Sequence, residues 1–357
     1  MIRGWTHTVL RFLGACVLTV AAALVMASWH GAPIVTVDDN KPVPGHAVQH
    51  ELVGVLTRMD WPLYPIRDGR AVFTARVGAA DVGLSVVALQ ALPGEAFEID
   101  ARDLMGVPVP FVIESDSVRV RRSDDGRLYW VAPTEPGPTA FRIRSVDAGG
   151  AIHVNMLVSE PIGSVKRGSL SHYPIGHYQS RPDSRGPEYD PPAGFAPISK
   201  DDEDILASPH FTVGQFLCKE PGDPRYLVLS TRLLHKLEML LGAVRSAGIN
   251  ATTLTVMSGY RTPAYNRKIG NTTSLSRHLY GDAADVFVDN DGDGMMDDLN
   301  GDGVSDVADA RYLGHIMESA VNGGGTGAYP GGMGAYRANA VHGPFLHVDT
   351  RGSRTRW

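Results

Sequence analysis

Ser276-Arg277-His278-Leu279-Tyr280-Gly281-Asp282-Ala283-Ala284-Asp285 decides the fold of this 357-residue chain. It reads S-x-H-x-x-G-x-A-x-D. A histidine and a carboxylate stand a short loop apart with small residues between them. Gly281 and Ala283 let the chain turn so that His278 and Asp285 converge on one point. Far downstream a second histidine, His347, lies in Phe345-Leu346-His347-Val348-Asp349. Two imidazoles and one carboxylate make a three-ligand zinc site with one position open, the arrangement of a catalytic rather than a structural zinc.

Two further stretches frame these ligands. Upstream, Ser258-Gly259-Tyr260-Arg261-Thr262-Pro263 is followed by Asn266. Downstream runs His342-Gly343-Pro344-Phe345-Leu346-His347-Val348-Asp349-Thr350-Arg351. In this order the three motifs resemble the zinc D-alanyl-D-alanine carboxypeptidase family, which shares the hedgehog/DD-peptidase fold. The resemblance covers residues 208–357. It implies an α+β zinc domain, with a small antiparallel sheet carrying the site and helices on one side. It implies zinc-dependent hydrolysis of peptidoglycan stem peptides, as a D-Ala-D-Ala carboxypeptidase or as an endopeptidase cutting cross-links. Arg261 matches the family's arginine, which contacts substrate or stabilises the developing oxyanion, a task suited to a planar guanidinium. Ser276 is expected to hydrogen-bond near the ligands or substrate. Tyr260 is expected to line the cleft or fill the core.

Zinc in such a site acts as a Lewis acid on the scissile carbonyl and lowers the pKa of its water to about 7. A general base must then move a proton to the leaving amine. Some relatives place Glu or Asp three residues before the last ligand, where this chain has Pro344; others place His two before, where it has Phe345. Neither side chain titrates. His342, five residues before His347, is the candidate base, because a histidine ordinarily titrates close to neutrality. Asp349 joins the catalytic set as a group that orients a ligand or His342. A zinc site with no competent base would instead belong to a non-catalytic protein that binds the cell wall.

An acidic stretch lies just beyond the first ligand pair. Counted from Asp298, EF-hand loop positions 1, 3, 5, 9 and 12 are Asp298, Asn300, Asp302, Asp306 and Asp309. Gly303 falls at the sharp turn, and Val304 offers a backbone carbonyl. The pattern resembles the calcium loop of dockerin modules. A second register starts at Asp289, with Asp291, Asp293 and Asp297, but Asn300 occupies its twelfth position. Hard oxygen ligands favour calcium over zinc. The expectation is a calcium-braced insert at 289–309.

The rest of the chain divides by composition. Arg3 and Arg11 precede an uncharged 18-residue run from Phe12 to Trp29, which reads as a cleaved export signal or a retained membrane anchor within residues 1–32. Either way the body is exported to the periplasm or cell envelope, and the cytoplasmic membrane is a partner if the segment is kept. Residues 33–62 read as a spacer. Within 63–160, short alternating runs at 71–77, 118–121, 140–144 and 152–158 are parted by turn clusters, the signature of an all-β sandwich. Leu128-Tyr129-Trp130-Val131-Ala132-Pro133 resembles a strand of bacterial immunoglobulin-like modules, so the sandwich is expected to be immunoglobulin-like. Residues 161–207, rich in Pro, Gly, Ser and Tyr, read as an ordered linker. Residues 227–247 carry helical periodicity closed by Gly248. Cys218 reads as a small buried apolar residue. A net charge of −6 leaves no basic footprint for nucleic acid.

Overall fold

The computed structural model describes residues 69–115, 119–147, 149–323 and 329–357. The export segment and the spacer lie outside the described residues.

The first described unit is all-β. Its strands are β1 (Arg70–Val77), β2 (Ala80–Leu84), β3 (Val86–Ala91), β4 (Ala96–Arg102), β5 (Phe111–Ser115), β6 (Val120–Arg122), β7 (Leu128–Val131), β8 (Gly137–Ser145) and β9 (Ala151–Val158). They form two sheets, β2-β1-β4-β7-β6 and β3-β9-β8-β5, antiparallel except where β3 runs parallel to β9. Successive side chains of a strand point to opposite faces. Phe73, Ala75 and Val77 of β1 therefore share the buried face. The two sheets meet over Trp130 of β7, whose ring stacks on Phe141 of β8 at 4.7 Å. Alternation in the sequence revealed β1, β6, β8 and β9, and the resemblance at Leu128–Pro133 marked β7. It did not reveal β3, because five of its six residues are buried and a strand covered on both faces does not alternate.

Short strands link this sandwich to the C-terminal domain: β10 (Glu160–Pro161), β11 (Ser169–Leu170), β12 (Tyr173–Pro174), β13 (Gly194–Ile198), β14 (Leu206–Ser208), β15 (Phe211–Thr212) and β16 (Arg225–Leu227). Strand β13 lies between β10 and β16. Tyr173 and Tyr189 are buried, and the Tyr178 hydroxyl donates to the Leu279 carbonyl at 2.8 Å. The linker, residues 161–207, is thus a strap packed on the C-terminal domain. Gln90 of β3 closes the seam between the units. Its amide nitrogen donates to the Leu227 carbonyl at 3.1 Å, and its oxygen accepts from Leu229 N at 2.8 Å.

The C-terminal domain contains α1 (Thr231–Ser246), β17 (Thr255–Ser258), α2 (Pro263–Lys268), β18 (Ala283–Phe287), α3 (Val307–Gly323), β19 (Gly332–Tyr336), β20 (Phe345–Asp349) and β21 (Thr355–Arg356). Helix α1 buries Leu233, Leu237, Leu240, Leu241 and Val244, the expected apolar stripe. Gly248 just beyond it takes the left-handed conformation at φ +88°. The sheet order is β17-β18-β20-β19-β21. It is not wholly antiparallel, because β21 runs parallel to β19. Helix α3 packs on both α1 and the strands β19 and β20. Cys218 is free and buried.

Candidate metal centre

Strand register builds the site. Asp285 of β18 stands directly opposite His347 of β20, Ser258 of β17 opposite Asp285, and Gly334 of β19 opposite His347. Ser258, Asp285, His347 and Gly334 therefore form one row across four strands. Directly opposed residues on one face bring their Cβ atoms to about 5 Å. The neighbour of His347 in sequence, Leu346, faces α3, where its Cδ1 would lie 3.3 Å from a Cβ placed on Gly314. Alternation then sends His347 to the face away from α3.

His278 arrives from outside the sheet, on the 3-10 turn Arg277–Tyr280. Gly281 ends that turn at φ +67°, and a Cβ there would sit 2.2 Å from the Val228 carbonyl oxygen. Only glycine meets both demands, so the tight turn read from the motif has a steric basis. His278 Nδ1 donates to the Gly259 carbonyl at 2.6 Å. That bond leaves Nε2 as the free ligand atom, 3.2 Å from Asp285 Oδ1. His347 Nδ1 lies 2.8 Å from the same oxygen. Ligand atoms of His278, Asp285 and His347 all fall within 4.8 Å of one another, and all three residues are buried. Two imidazole nitrogens and a carboxylate at this spacing fit zinc.

Charge in the cluster is unevenly shared. Burial works against charge on His278 and holds its pKa below the ordinary value. Burial also disfavours charge on His347, but hydrogen bonds to Asp285 and Asp349 outweigh it and raise the pKa to about 8. Burial pushes the Asp285 carboxyl up, yet the two histidines outweigh it and hold it well below the usual carboxylate range. Of the two histidines, His347 is the more readily protonated, and a metal bound there would compete with that proton.

A second tier holds the first. His347 Nε2 donates to Asp349 Oδ2 at 3.2 Å. Asp349 is fully buried and also accepts from Gly332 N at 2.7 Å and Arg351 Nε at 2.9 Å. Lys236 of α1, itself buried, donates to the Asp349 backbone carbonyl at 2.6 Å. Trp357 lies beside His347, with ring centroids 5.4 Å apart, and its indole N–H donates to the Tyr336 hydroxyl at 2.7 Å. Arg351, Lys236 and Trp357 were not singled out in the sequence. The Asp-x-Arg spacing at the end of a strand was the one available signal for Arg351.

The other expected residues divide. Arg261 reaches the cluster: Nη2 donates to Asp285 Oδ2 at 2.6 Å and Nε to Ser258 Oγ at 2.8 Å. Tyr260 is 1% exposed, its hydroxyl 2.9 Å from that of Tyr178. It fills the core and offers no surface to a substrate. Ser276 begins the turn that carries His278, its carbonyl accepting from Leu279 N at 3.0 Å, and its side chain does not cap that turn. His342 is turned to its own loop. Nδ1 bonds the Gly343 carbonyl at 2.8 Å, Nε2 lies 2.8 Å from Asn339 Nδ2, and the ring packs edge-on against Phe345.

In the acidic insert two turns repeat nine residues apart. Asp289 accepts from the N–H groups of Gly292 and Gly294, and Asp298 from those of Gly301 and Gly303. The carboxylates that converge within 4.8 Å are Asp289, Asp291 and Asp297, from the upstream register. Among the described residues Asp298, Asp302, Asp306 and Asp309 form no such group. Asp309 is fully buried and accepts from the backbone of Leu299, Asn300 and Asp306. It ties the insert to the first turn of α3.

The same segment stands out on comparison with known proteins. Residues 209–315 match the family described as Peptidase M15. The match supports a zinc metallopeptidase domain and contains His278 and Asp285. No curated protein and no solved structure matches the chain.

Proposed function

We propose that this protein is a zinc peptidase that hydrolyses peptidoglycan stem peptides in the manner of a D-Ala-D-Ala carboxypeptidase. The buried convergence of His278, Asp285 and His347 carries the reading. Zinc bound there supplies Lewis-acid polarisation of the scissile carbonyl. The chain's own residues do the rest. His278, fixed by Gly259, and His347, fixed by Asp349, hold their ligand nitrogens in place. Arg261 holds the second oxygen of Asp285 and adds positive charge where an oxyanion develops. His342 is assigned the base. To act it must release Asn339, whose amide occupies Nε2.

A second reading, zinc binding without turnover, is favoured by that same observation. Both His342 nitrogens are engaged, and Asp349 is held anionic and ion-paired by Arg351. Digestion of purified peptidoglycan with zinc-loaded protein, with product masses recorded, separates the readings. Loss of a terminal D-alanine indicates the carboxypeptidase, and split cross-links indicate an endopeptidase. No product from any stem peptide establishes the binding protein. With turnover present, His342→Ala lowers the rate roughly 100-fold while zinc content holds, the scale of a lost general base. An unchanged rate places the base elsewhere.

The sandwich is read as immunoglobulin-like. The order β1-β4-β7-β6 in one sheet and β9-β8-β5 in the other supports this, since it matches the A-B-E-D and G-F-C arrangement of that class. Export is proposed from Arg3 and Arg11 ahead of the apolar run. Activity of an export-dependent reporter fused after Trp357 tests it, and a silent reporter would contradict it. Calcium in the insert is proposed from the EF-hand-like spacing.

A further inference from the structure

A cleft of about 450 Å³ lies where the sandwich, the strap and the zinc domain meet. Leu92 and Glu95 line it from the sandwich, Glu188 from the strap, and Arg232, Arg277 and Asp282 from the zinc domain. None of His278, Asp285 and His347 lines it. The cleft is therefore separate from the metal centre, although Arg277 and Asp282 belong to the same ten-residue segment.

Arg277 is the unusual member. It is 3% exposed. Its Nε donates to Asp282 Oδ1 at 3.0 Å, and its Nη2 donates to Asp282 Oδ2 at 2.5 Å and to the Glu188 carbonyl at 2.8 Å. The guanidinium lies over two rings, 4.3 Å from the centroid of Tyr189 and 4.6 Å from that of Tyr280. These contacts fix its plane. The remaining nitrogen, Nη1, is buried without a hydrogen-bond partner. A charged donor left unmet in the interior is costly. The rings and Asp282 prevent it from turning to find a partner among the protein's own groups.

A guanidinium edge with free N–H groups is suited to a carboxylate. Arg232 adds a second cation to the cleft, and Glu95 and Glu188 supply carboxylates that suit an ammonium group. The cleft therefore offers both signs of charge. Its volume falls within the roughly 300–1,000 Å³ of small-molecule sites, enough for several linked residues. We propose that this cleft binds a short peptide with free ends, its C-terminal carboxylate toward Arg232 and Arg277 and its amino group toward Glu95 and Glu188.

The proposal does not depend on turnover at the zinc centre, so it is tested with that centre disabled. Alanyl-alanine dipeptides of both configurations are titrated by calorimetry into the full-length chain carrying His347→Ala, and into the unaltered chain. The expected result is binding of equal affinity in the two proteins, weakened at least tenfold when the dipeptide carries a C-terminal amide. Arg277→Met should weaken binding to a similar degree. Leu92→Trp, at a half-buried position on the sandwich side, fills the cleft without touching the buried ion pair and should also weaken it at least tenfold. Absence of binding by either dipeptide overturns the proposal. So does equal affinity for the amide. Binding that survives Leu92→Trp but vanishes with His347→Ala assigns the peptide to the metal centre instead.

Discussion

The His278–Asp285–His347 cluster and the acidic insert stand four residues apart, from Asp285 to Asp289, and are built by opposite means. His278, Asp285 and His347 come from a turn and two strands and are all buried. The insert draws its carboxylates from one continuous loop. Asp289 and Asp298 bond N–H groups only three and five residues ahead, and most of the loop is exposed. One site is a product of sheet register, and the other of local turn chemistry. Damage to the first should propagate through strands and second-tier contacts. Damage to the second should stay where it is made.

The largest effect should come from His347→Ala. It removes a ligand and one half of the Asp285–His347 pair, so zinc should fall from one per chain to near none by elemental analysis. Peptidase activity should fall with it, by about 1,000-fold or more as expected when Lewis-acid stabilisation is lost. Full retention of zinc would show that register does not define the site.

Asp349→Asn sharpens the comparison one tier out. The amide keeps the shape but loses the charge that fixes His347. Zinc affinity should drop roughly 10- to 100-fold, measured by competition with a chromophoric chelator. An unchanged affinity would mean that β18 and β20 alone position the histidine.

The next effect is on pH. With its pKa near 8, His347 must lose a proton when zinc binds. Zinc affinity should therefore fall about tenfold for each pH unit below 8 and level off above it. Calorimetry in two buffers of different ionisation heat should count close to one proton released per zinc at pH 7. In metal-free protein the sign is opposite. A pKa raised from 6.5 stabilises the fold below about 6.5, and this contribution is lost as pH rises through about 8.

The smallest effect belongs to the insert. Calcium at a hundredfold excess over its dissociation constant should stabilise the domain by about 2.7 kcal/mol, raising the melting temperature by a few degrees. Asp297→Ala, which removes one of the three converging carboxylates, should abolish the rise and leave zinc content at one per chain. A melting curve indifferent to calcium removes the ion from the insert. Lost zinc in this variant would show that the two sites are coupled after all.

Much of the metal centre was legible because its signals are short-range. His278 and Asp285 lie within ten residues with a glycine between them, and the steric need for Gly281 can be read from the turn it makes. The helix at 231–246 was legible from its apolar periodicity and the glycine that closes it. Strands such as β3 were hidden because burial on both faces erases alternation.

Local pattern alone therefore determined which residue types are able to ligate a metal, where the turns fall and which helix face is apolar, since each is set by neighbours a few positions away. Tertiary structure decided the rest. It set Asp285 opposite His347 across 62 residues and placed Arg351 on Asp349. It buried Tyr260 under Tyr178, turned His342 toward Asn339, and brought Leu92 of the sandwich into the same cleft as Arg277. Those contacts depend on strand register and on packing between distant segments. Both are settled by the free energy of the whole core rather than by any one stretch of chain.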